Sequence, residues 1–280
     1  MTGSLWRLLA RACRTPSGRL GLLILVTLII GIVVGPWFLP DPAGMPDLLA
    51  GATPPGSGHL FGTDQLNRDI LSRVASGGRI SLTVAALAVT LAVSLGALVG
   101  GLSGFHGGWV DEALMRLVDG ALAIPRLFLL LILVAVWEQM PVPALVLVLG
   151  ATGWFTTSRI VRGEVLRLRE AEFVQAATAL GAGPGRIIFR HLLPNVAGPL
   201  LVAATLGVGE VILLEAGLSY LGVGVQPPTP SWGGMILDAR SLLTTAPWAS
   251  IFPGLAIVIT VLAVNLIGDA LRGALDPRSA

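Results

Sequence analysis

The side chains that could take part in covalent chemistry are few in this 280-residue sequence, and they lie far apart. Ser103, in Gly101-Leu102-Ser103-Gly104, is the candidate nucleophile for an intramembrane enzyme. A serine nucleophile needs a general base within hydrogen-bond reach. The three histidines fall between the apolar segments, and none follows His191, so we expect neither serine catalysis nor a metal site in this chain.

Ionisable side chains within apolar segments are stronger functional candidates. A charge at the centre of a bilayer costs roughly 2.5 to 3.5 kcal/mol on insertion scales, so each one needs a partner or a watery cavity. We expect Asp119 and Arg126 to pair across a kink at Pro125, with lining of a translocation pathway as the alternative. Glu215 has either a pathway or gating role or a hydrogen bond to a neighbouring helix. The candidate pathway residues are Asp119, Arg126, Glu210, Glu215 and Asn265.

The elements that carry these residues are predicted to be membrane-spanning helices. Only 12% of the residues are charged and mean hydropathy is +0.83, whereas a soluble domain has about 25% charged residues. A bilayer core of about 30 Å needs roughly 20 apolar residues, folded as a helix because lipid satisfies no backbone group. Six windows qualify, at residues 20–39, 80–102, 113–137, 143–160, 197–221 and 251–271.

Arginine distribution predicts the orientation of these spans. All 18 basic residues are arginine, and thirteen fall in segments on the side of the N-terminus against four on the other side. Because positive residues concentrate in cytoplasmic loops, we expect both termini in the cytoplasm. The absence of lysine also excludes a P-loop, so any nucleotide that drives this protein must bind another chain.

Residues 157–196, between the fourth and fifth windows, are too many for a simple connection, since helix–helix loops usually have about 2 to 8 residues. Gly181 is a helix stop signal, and Gly183-Pro184 is a typical helix start. The pattern predicts two short helices, the second ending near Pro194. They would form a projecting knob that either packs against the protein's own helices or docks a cytoplasmic partner. The apolar residues at helical spacing are Leu166, Phe173, Ala177 and Leu180.

Three motifs follow one another in this segment: Phe173-Val174-Gln175-Ala176-Ala177, Leu180-Gly181 and His191-Leu192-Leu193-Pro194-Asn195. Together they resemble the EAA loop of ABC-importer permeases. Gln175 and His191 stand where that family usually has Glu and Ile. The resemblance implies an ATPase-coupling loop formed by Glu172, Phe173, Gln175, Ala176, Ala177, Leu180, Gly181 and Pro194.

Other motifs occur in a fixed order along the chain. They include residues 59–69 (HLFGTDQLNRD), 218–222 (LSYLG), 227–233 (PPTPSWG) and 265–269 (NLIGD). In this order they resemble the C-type subunit of the dipeptide, oligopeptide and nickel permeases, from about residue 20 to the C-terminus. Asn67 stands where that family usually has Gly.

The resemblance implies an all-α polytopic membrane protein of the type I importer fold, with six transmembrane helices arranged as a five-helix core plus an N-terminal helix. It also implies transport of peptides or a similar small solute across the bacterial cytoplasmic membrane. We expect no cofactor in this chain, with ATP and Mg on partner subunits. The expected partners are a second homologous permease, two ATP-binding subunits, an extracytoplasmic solute-binding protein and the lipid bilayer, with no nucleic acid.

The expected divisions are an N-terminal arm and first helix (1–40), an extracytoplasmic loop (41–79), a permease core (80–272) and a cytoplasmic tail (273–280). An ion-coupled secondary transporter, acting without an ATPase, is the alternative function. The buried acids permit that alternative, but it gives residues 157–196 no role.

Overall fold

The computed structural model describes residues 10–42, 51–137 and 140–275, which leaves the start of the N-terminal arm and residues 276–280 outside the described part. Its regular elements are helices. In chain order they are α1 (Pro16–Val34), α2 (Ile70–His106), α3 (Gly108–Leu122), α4 (Arg126–Val134), α5 (Val142–Arg169), α6 (Glu172–Ala179), α7 (Pro184–Tyr220), α8 (Trp232–Asp238) and α9 (Trp248–Leu275).

Among the described residues, five helices are long and apolar enough to cross a bilayer: α1, α2, α5, α7 and α9. The pair α3 and α4 becomes a sixth span if it is counted as one, although it bends by 86° at residues 123–125. Pro125 accounts for the break, since it precedes α4 with a non-helical ψ of 125° and proline does not continue a helix. The all-α polytopic fold predicted from the sequence is therefore confirmed.

The bundle has two distinct ends. Residues 51–69 meet residues 221–248 at one end, where the indole of Trp248 donates to the carbonyl oxygen of Thr63 at 3.1 Å. We call this the signature end. The other end carries residues 170–193, which we call the knob, and we refer to it as the knob end. Helix α2 runs the full distance, since Asp69 caps its start and the guanidinium of Arg169 contacts the carbonyls of Gly104 and Phe105 at its finish.

The centre of the bundle depends on close packing of α2 against α5. A Cβ atom at Gly100 would lie 2.4 Å from the carbonyl oxygen of Ser158, and one at Gly96 would lie 2.5 Å from Cβ of Thr157. Glycines four residues apart therefore let the two backbones approach, which is the usual device for packing helices in lipid. The adjoining core buries Val84, Leu149 and Ile212.

Residues 157–196 differ from their prediction in two respects. Helix α5 continues to Arg169, so Leu166 belongs to a membrane-crossing helix and the separate segment begins only at Glu170. The chain also does not break near Pro194, because Pro184–Tyr220 is one continuous helix with a π-helical stretch at Ile187–Leu192. In that widened turn Leu193 N–H bonds to Ile188 O, which relieves the clash that a proline ring makes in a regular α-helix.

Candidate coupling surface and membrane pathway

A tight turn joins α6 to α7 and gives the knob its shape. Gly181 has φ of +81°, a conformation that glycine adopts without strain. Its N–H bonds to Thr178 O at 2.9 Å, and Ala182 N–H bonds to Ala177 O at 3.0 Å. This pair of bonds is a Schellman motif, which satisfies the last carbonyls of α6. The predicted stop at Gly181 and start at Pro184 are both confirmed.

One face of α6 fastens the knob to the bundle. Val174 is the buried residue of this helix, and it packs in a cluster with Val165, Ile187, Ile188 and Leu192. Gln175 spans the break between α5 and α6, where its amide donates to the carbonyl oxygen of Glu170 at 3.1 Å. A glutamate carboxylate could not donate this bond. The departure from the usual Glu therefore has a local structural role.

The opposite face of the knob is apolar and exposed. Leu180 is 88% exposed, Phe189 is 58% exposed, and Phe173 on α6 is 41% exposed. Apolar side chains left in water at the end of a membrane protein mark an interaction surface. Of the residues predicted for coupling, Ala177 is half-buried, and the exposed ones are Glu172, Phe173, Gln175, Ala176, Leu180, Gly181 and Pro194.

A charged clamp that the sequence did not reveal holds the knob end of α5 against α3. Arg162 binds Asp111 with two parallel bonds, Nε to Oδ1 and Nη2 to Oδ2, both 2.6 Å long. Ser103 of α2 donates its hydroxyl proton to the same carboxylate. Three helices thus meet at Asp111, and Ser103 is a structural donor rather than a nucleophile. Asp111 and Arg162 lie 51 residues apart and have no local sequence signal that pairs them.

The predicted ion pair between Asp119 and Arg126 is wrong. Asp119 pairs with Arg159 of α5, and Arg126 Nη1 lies 2.6 Å from Glu210 Oε1 on α7. The 86° bend separates the two residues, because the seven-residue spacing brings side chains together only within one continuous helix. The sequence identified the charged residues correctly but not their partners.

A cavity of about 200 Å³ lies beside Arg126 and Glu210, between α2, α5 and α7. Thr156 and Thr157 add polar atoms to its lining. Glu210 lies ten residues before the end of α7, which is about 15 Å along the helix axis and therefore near the middle of a bilayer core. The Glu210 side chain is 59% exposed, and an exposed carboxylate at that depth is costly in lipid. This cost favours water or another protein on this side of the bundle.

Glu215 is fully buried and braces the signature end of α7. Its carboxylate accepts hydrogen bonds from Ser81 Oγ of α2 at 2.9 Å and from Ser219 Oγ at 2.7 Å. The predicted alternative of a hydrogen bond to a neighbouring helix is thereby confirmed. Asn265 differs, since it is exposed on α9 with its Oδ1 3.7 Å from the position of a Cβ at Gly209.

The first long motif forms an ionic cluster at the signature end. Arg73 donates to Asp64 and also to Asp238 Oδ2, the latter at 3.0 Å, so it joins the loop before α2 to the end of α8. Arg68 Nε reaches Asp64 Oδ2 at 2.8 Å. Asn67 has φ of +57°, a conformation that glycine adopts freely and asparagine tolerates better than most residues. The asparagine therefore fits the position where the resembled family usually has glycine.

The proline-rich motif at residues 227–233 also lies at the signature end. Ser231 caps α8 by accepting from Gly234 N at 3.2 Å, and Trp232 is buried with its indole N–H on the carbonyl oxygen of Val74 at 2.9 Å. A Cβ at Gly78 would lie 2.8 Å from the Trp232 ring. The motif thus fastens α8 onto α2.

Comparison with known proteins assigns the architecture to a family. The family model described as binding-protein-dependent transport system inner membrane component matches residues 92–280. A provisionally named peptide permease of Brucella suis is 43% identical over 280 residues, covering 99% of this chain and 92% of the relative. The oligopeptide transport system permease protein OppC of Bacillus subtilis is 40% identical over 276 residues, or 98% of this chain and 90% of its own. The dipeptide transport system permease protein DppC of Alkalihalophilus pseudofirmus is 44% identical over 224 residues, which cover 80% of this chain and 73% of the relative.

The chain belongs to the family of binding-protein-dependent transport system inner membrane components. This permease is a multi-pass inner-membrane subunit of an ABC importer, and the predicted resemblance to C-type subunits is confirmed by the relatives named OppC and DppC. Importers of this family work with ATPase and binding-protein partners. Members of this family form the membrane component of the importer and are not themselves enzymes. Membership of the family therefore does not favour the alternative of an ion-coupled secondary transporter.

Proposed function

We propose that this permease moves peptides, or a similar small solute, into the cytoplasm as one half of a permease pair. The relatives named as oligopeptide and dipeptide transport permeases support peptides as the solute class. The second half is a homologous permease, and the pair works with two ATP-binding subunits, which hold ATP and Mg, and an extracytoplasmic solute-binding protein. The arginine bias supports a cytoplasmic location for both termini and for the knob.

The exposed apolar face of the knob is the observation that carries the coupling proposal. Leu180 and Phe189 lie uncovered on a segment whose other face is fixed by Val174 and its cluster. A helix that presents apolar side chains from a fixed base suits insertion into a cleft of a partner. We assign the cleft to an ATPase subunit, so closure of the ATPase pair would move the knob and, through α5 and α7, the membrane spans.

The exposed charged and polar side chains in the spans support a pathway shared with the second permease. Asp119, Glu210 and Asn265 are uncovered in this chain, and Arg126 lies at the edge of the 200 Å³ cavity. Charges at this depth need water or a protein partner. We therefore propose that this side of the bundle faces the second permease across the solute route, and that Glu215 serves as a brace and not as a pathway residue.

Reconstitution of the four kinds of subunit in proteoliposomes tests this function. Leu180→Asp should abolish co-purification of the ATPase or uncouple ATP hydrolysis from uptake of labelled peptides, because a charge would enter an apolar cleft. Ala177→Asp and Gly181→Asp should also abolish coupling, but they act through the shape of the knob as well, because Ala177 is half-buried and Gly181 has φ of +81°. Val174→Ala is the control that weakens the base of the knob without altering its exposed face. Unchanged peptide uptake by Leu180→Asp would remove the coupling claim, and uptake by this chain alone under an ion gradient would favour the secondary transporter.

A further inference from the structure

An apolar groove of about 620 Å³ lies between α1, α2 and α9 near the signature end. It shares no lining residue with the 200 Å³ cavity, whose α2 residues lie 18 positions further along that helix, about 27 Å along its axis. The groove is therefore separate from that cavity. Its lining is almost entirely apolar, and it includes Leu28, Ile32, Phe38, Val74, Phe252 and Leu255.

The path of α1 creates this groove. Near the knob end α1 touches α9, where a Cβ at Gly21 would lie 2.7 Å from the carbonyl oxygen of Ala263. Towards the signature end α1 is held against α2, since Arg79 Nε donates to Ile32 O at 3.0 Å and Arg79 Nη2 donates to Val33 O at 2.6 Å. The two attachments lie on different helices, so a gap opens between α1 and α9. The stacked rings of Phe61 and Phe252, with centroids 3.9 Å apart, lie along it.

The depth of the groove in the membrane restricts what can occupy it. Helix α1 ends at Val34, and Trp37 and Phe38 follow it with 76% and 82% exposure, which is typical of aromatic residues at a membrane–water interface. Leu28 lies six residues before Val34, about 9 Å deeper in the hydrocarbon. Water is a poor occupant because the walls offer it almost no polar partners. The volume is within the range of about 300 to 1,000 Å³ for ligand sites.

We propose that the groove is a phospholipid site, with one acyl chain between α1, α2 and α9 and the phosphate beside Arg79. The Arg79 side chain is exposed, and its bonds to Ile32 O and Val33 O hold the guanidinium at the level where α1 ends. Arg79 does not itself line the groove, but Ile32, whose carbonyl oxygen it binds, does. A cation at this place is complementary to the phosphate of a lipid whose chain occupies the groove. The bound lipid would fill the gap between α1 and the rest of the bundle.

A photoreactive lipid tests this site in the complete importer. The importer is placed in nanodiscs containing a phosphatidylethanolamine with a diazirine in one acyl chain, irradiated and mapped by mass spectrometry. We expect label on Phe38, Val74 and Phe252 well above the label on Leu147, an exposed apolar residue of α5. A diazirine-bearing free fatty acid should label these residues less, because it has no phosphate for Arg79. Equal labelling by the two probes would contradict the headgroup assignment.

The chain offers a matched pair of variants for this experiment. A Cβ at Gly31, which lines the groove, would meet no atom within 4 Å, so Gly31→Phe can fill the groove without a clash at the backbone. Gly254 on α9 is equally open but does not line the groove, so Gly254→Phe is the control. Gly31→Phe should reduce the groove label to the level of Leu147, and Gly254→Phe should leave it unchanged.

Besides equal labelling by the two probes, three results would overturn the proposal: equal labelling of the groove and Leu147 in the unaltered importer, full labelling of the groove in Gly31→Phe, or cross-links showing that the second permease fills the groove. If Gly31→Phe fails to assemble, Gly31→Leu replaces it, and the labelling pattern of the unaltered importer decides independently. Because the readout is lipid labelling, it succeeds or fails whether or not peptides are the solute.

Discussion

Arg126 joins three helices through one guanidinium group: Nη1 lies 2.6 Å from Glu210 Oε1 on α7, and Nη2 donates to Leu149 O on α5 at 2.9 Å. The residue is the first of α4, directly after the bend that interrupts the span. The ion pair therefore fixes the second half of a broken span against two continuous helices, next to the 200 Å³ cavity.

We expect Glu210→Gln to destabilise the importer more than the double variant Arg126→Gln/Glu210→Gln. The single change leaves the Arg126 charge near the middle of the membrane without its carboxylate, whereas the double change removes both charges. Residues in such contact typically couple by about 0.5 to 3 kcal/mol. The thermal unfolding midpoint of the purified importer in nanodiscs, measured for both singles and the double, gives this coupling.

A matched control for this comparison is Glu112→Gln. Glu112 is 64% exposed and pairs with Arg116 one turn along the same helix, so its loss should change the midpoint little. Additive effects of the Arg126 and Glu210 changes would contradict the prediction, because they would mean that the two side chains do not interact in the importer.

The sequence predicted the helices of this permease better than the contacts between them. Apolar windows and stop signals such as Gly181 are local properties, so they located the spans and the knob. The partner of Arg126 depends on how the chain bends after Pro125 and on which face of α7 turns towards it. Neither property is written in the spacing of charged residues along one helix.

Two of the departures from the family motifs were visible in the sequence but not explicable from it. The structure explains Asn67 by its backbone φ of +57°, and it explains Gln175 by the hydrogen bond that its amide donates to the carbonyl oxygen of Glu170. The clamp at Asp111 had no signal in the sequence, because Asp111 lies on α3 and its two partners lie on α2 and α5. A pairing of this kind requires the helix arrangement before the residues can be connected.

Glu215 should tolerate glutamine far better than alanine. Glu215→Gln keeps an oxygen that can accept from Ser81 or Ser219, so we expect a loss of about 1 kcal/mol for one weakened hydrogen bond. Glu215→Ala leaves both hydroxyls without this acceptor and opens a cavity, which should cost roughly 2 to 5 kcal/mol. Thermal unfolding measures the difference. A proton-carrying role would instead predict that Glu215→Gln folds normally and loses solute uptake.

The signature-end cluster should depend on arginine at position 73. Arg73 is 6% exposed and binds Asp64 and Asp238 with separate nitrogens. Arg73→Met leaves both carboxylates to Arg68, which lies 2.8 Å from Asp64 Oδ2 and 3.6 Å from Asp238 Oδ2, so we expect a cost below the about 3 to 5 kcal/mol of a fully unpaired buried charge. Arg73→Lys keeps the charge but lacks the planar fork, and should recover only part of the loss. The loss of the ionic cluster is measured as increased protease sensitivity of the loop before α2. Equal protease resistance of Arg73→Met and Arg73→Lys would show that bridging of the two carboxylates by one guanidinium is unimportant.

Position 67 should prefer glycine over any β-branched residue. Asn67→Val places a branched side chain at φ of +57°, where non-glycine residues lose roughly 1 to 2 kcal/mol. Asn67→Gly should be neutral or slightly stabilising. Gln65→Val, at a neighbouring exposed position without positive φ, is the control. Similar unfolding midpoints for Asn67→Val and Gln65→Val would argue against strain at residue 67.

The clamp between Arg162 and Asp111 should transmit the motion of the knob without contributing to its docking. The hydrogen bonds of the clamp join Arg162, Asp111 and Ser103 and do not involve Leu180 or Phe189, so Arg162→Gln should leave the ATPase bound. It removes both bonds to Asp111, which at about 1.5 to 3 kcal/mol each for charged groups are a substantial part of the link from α5 to α3. We therefore expect ATP hydrolysis to persist while the solute transported per ATP falls.

Arg167→Gln is the control, since Arg167 is exposed and pairs with Glu164 on its own helix. A proportional fall of hydrolysis and uptake, or loss of the ATPase on purification, would show instead that the clamp supports docking.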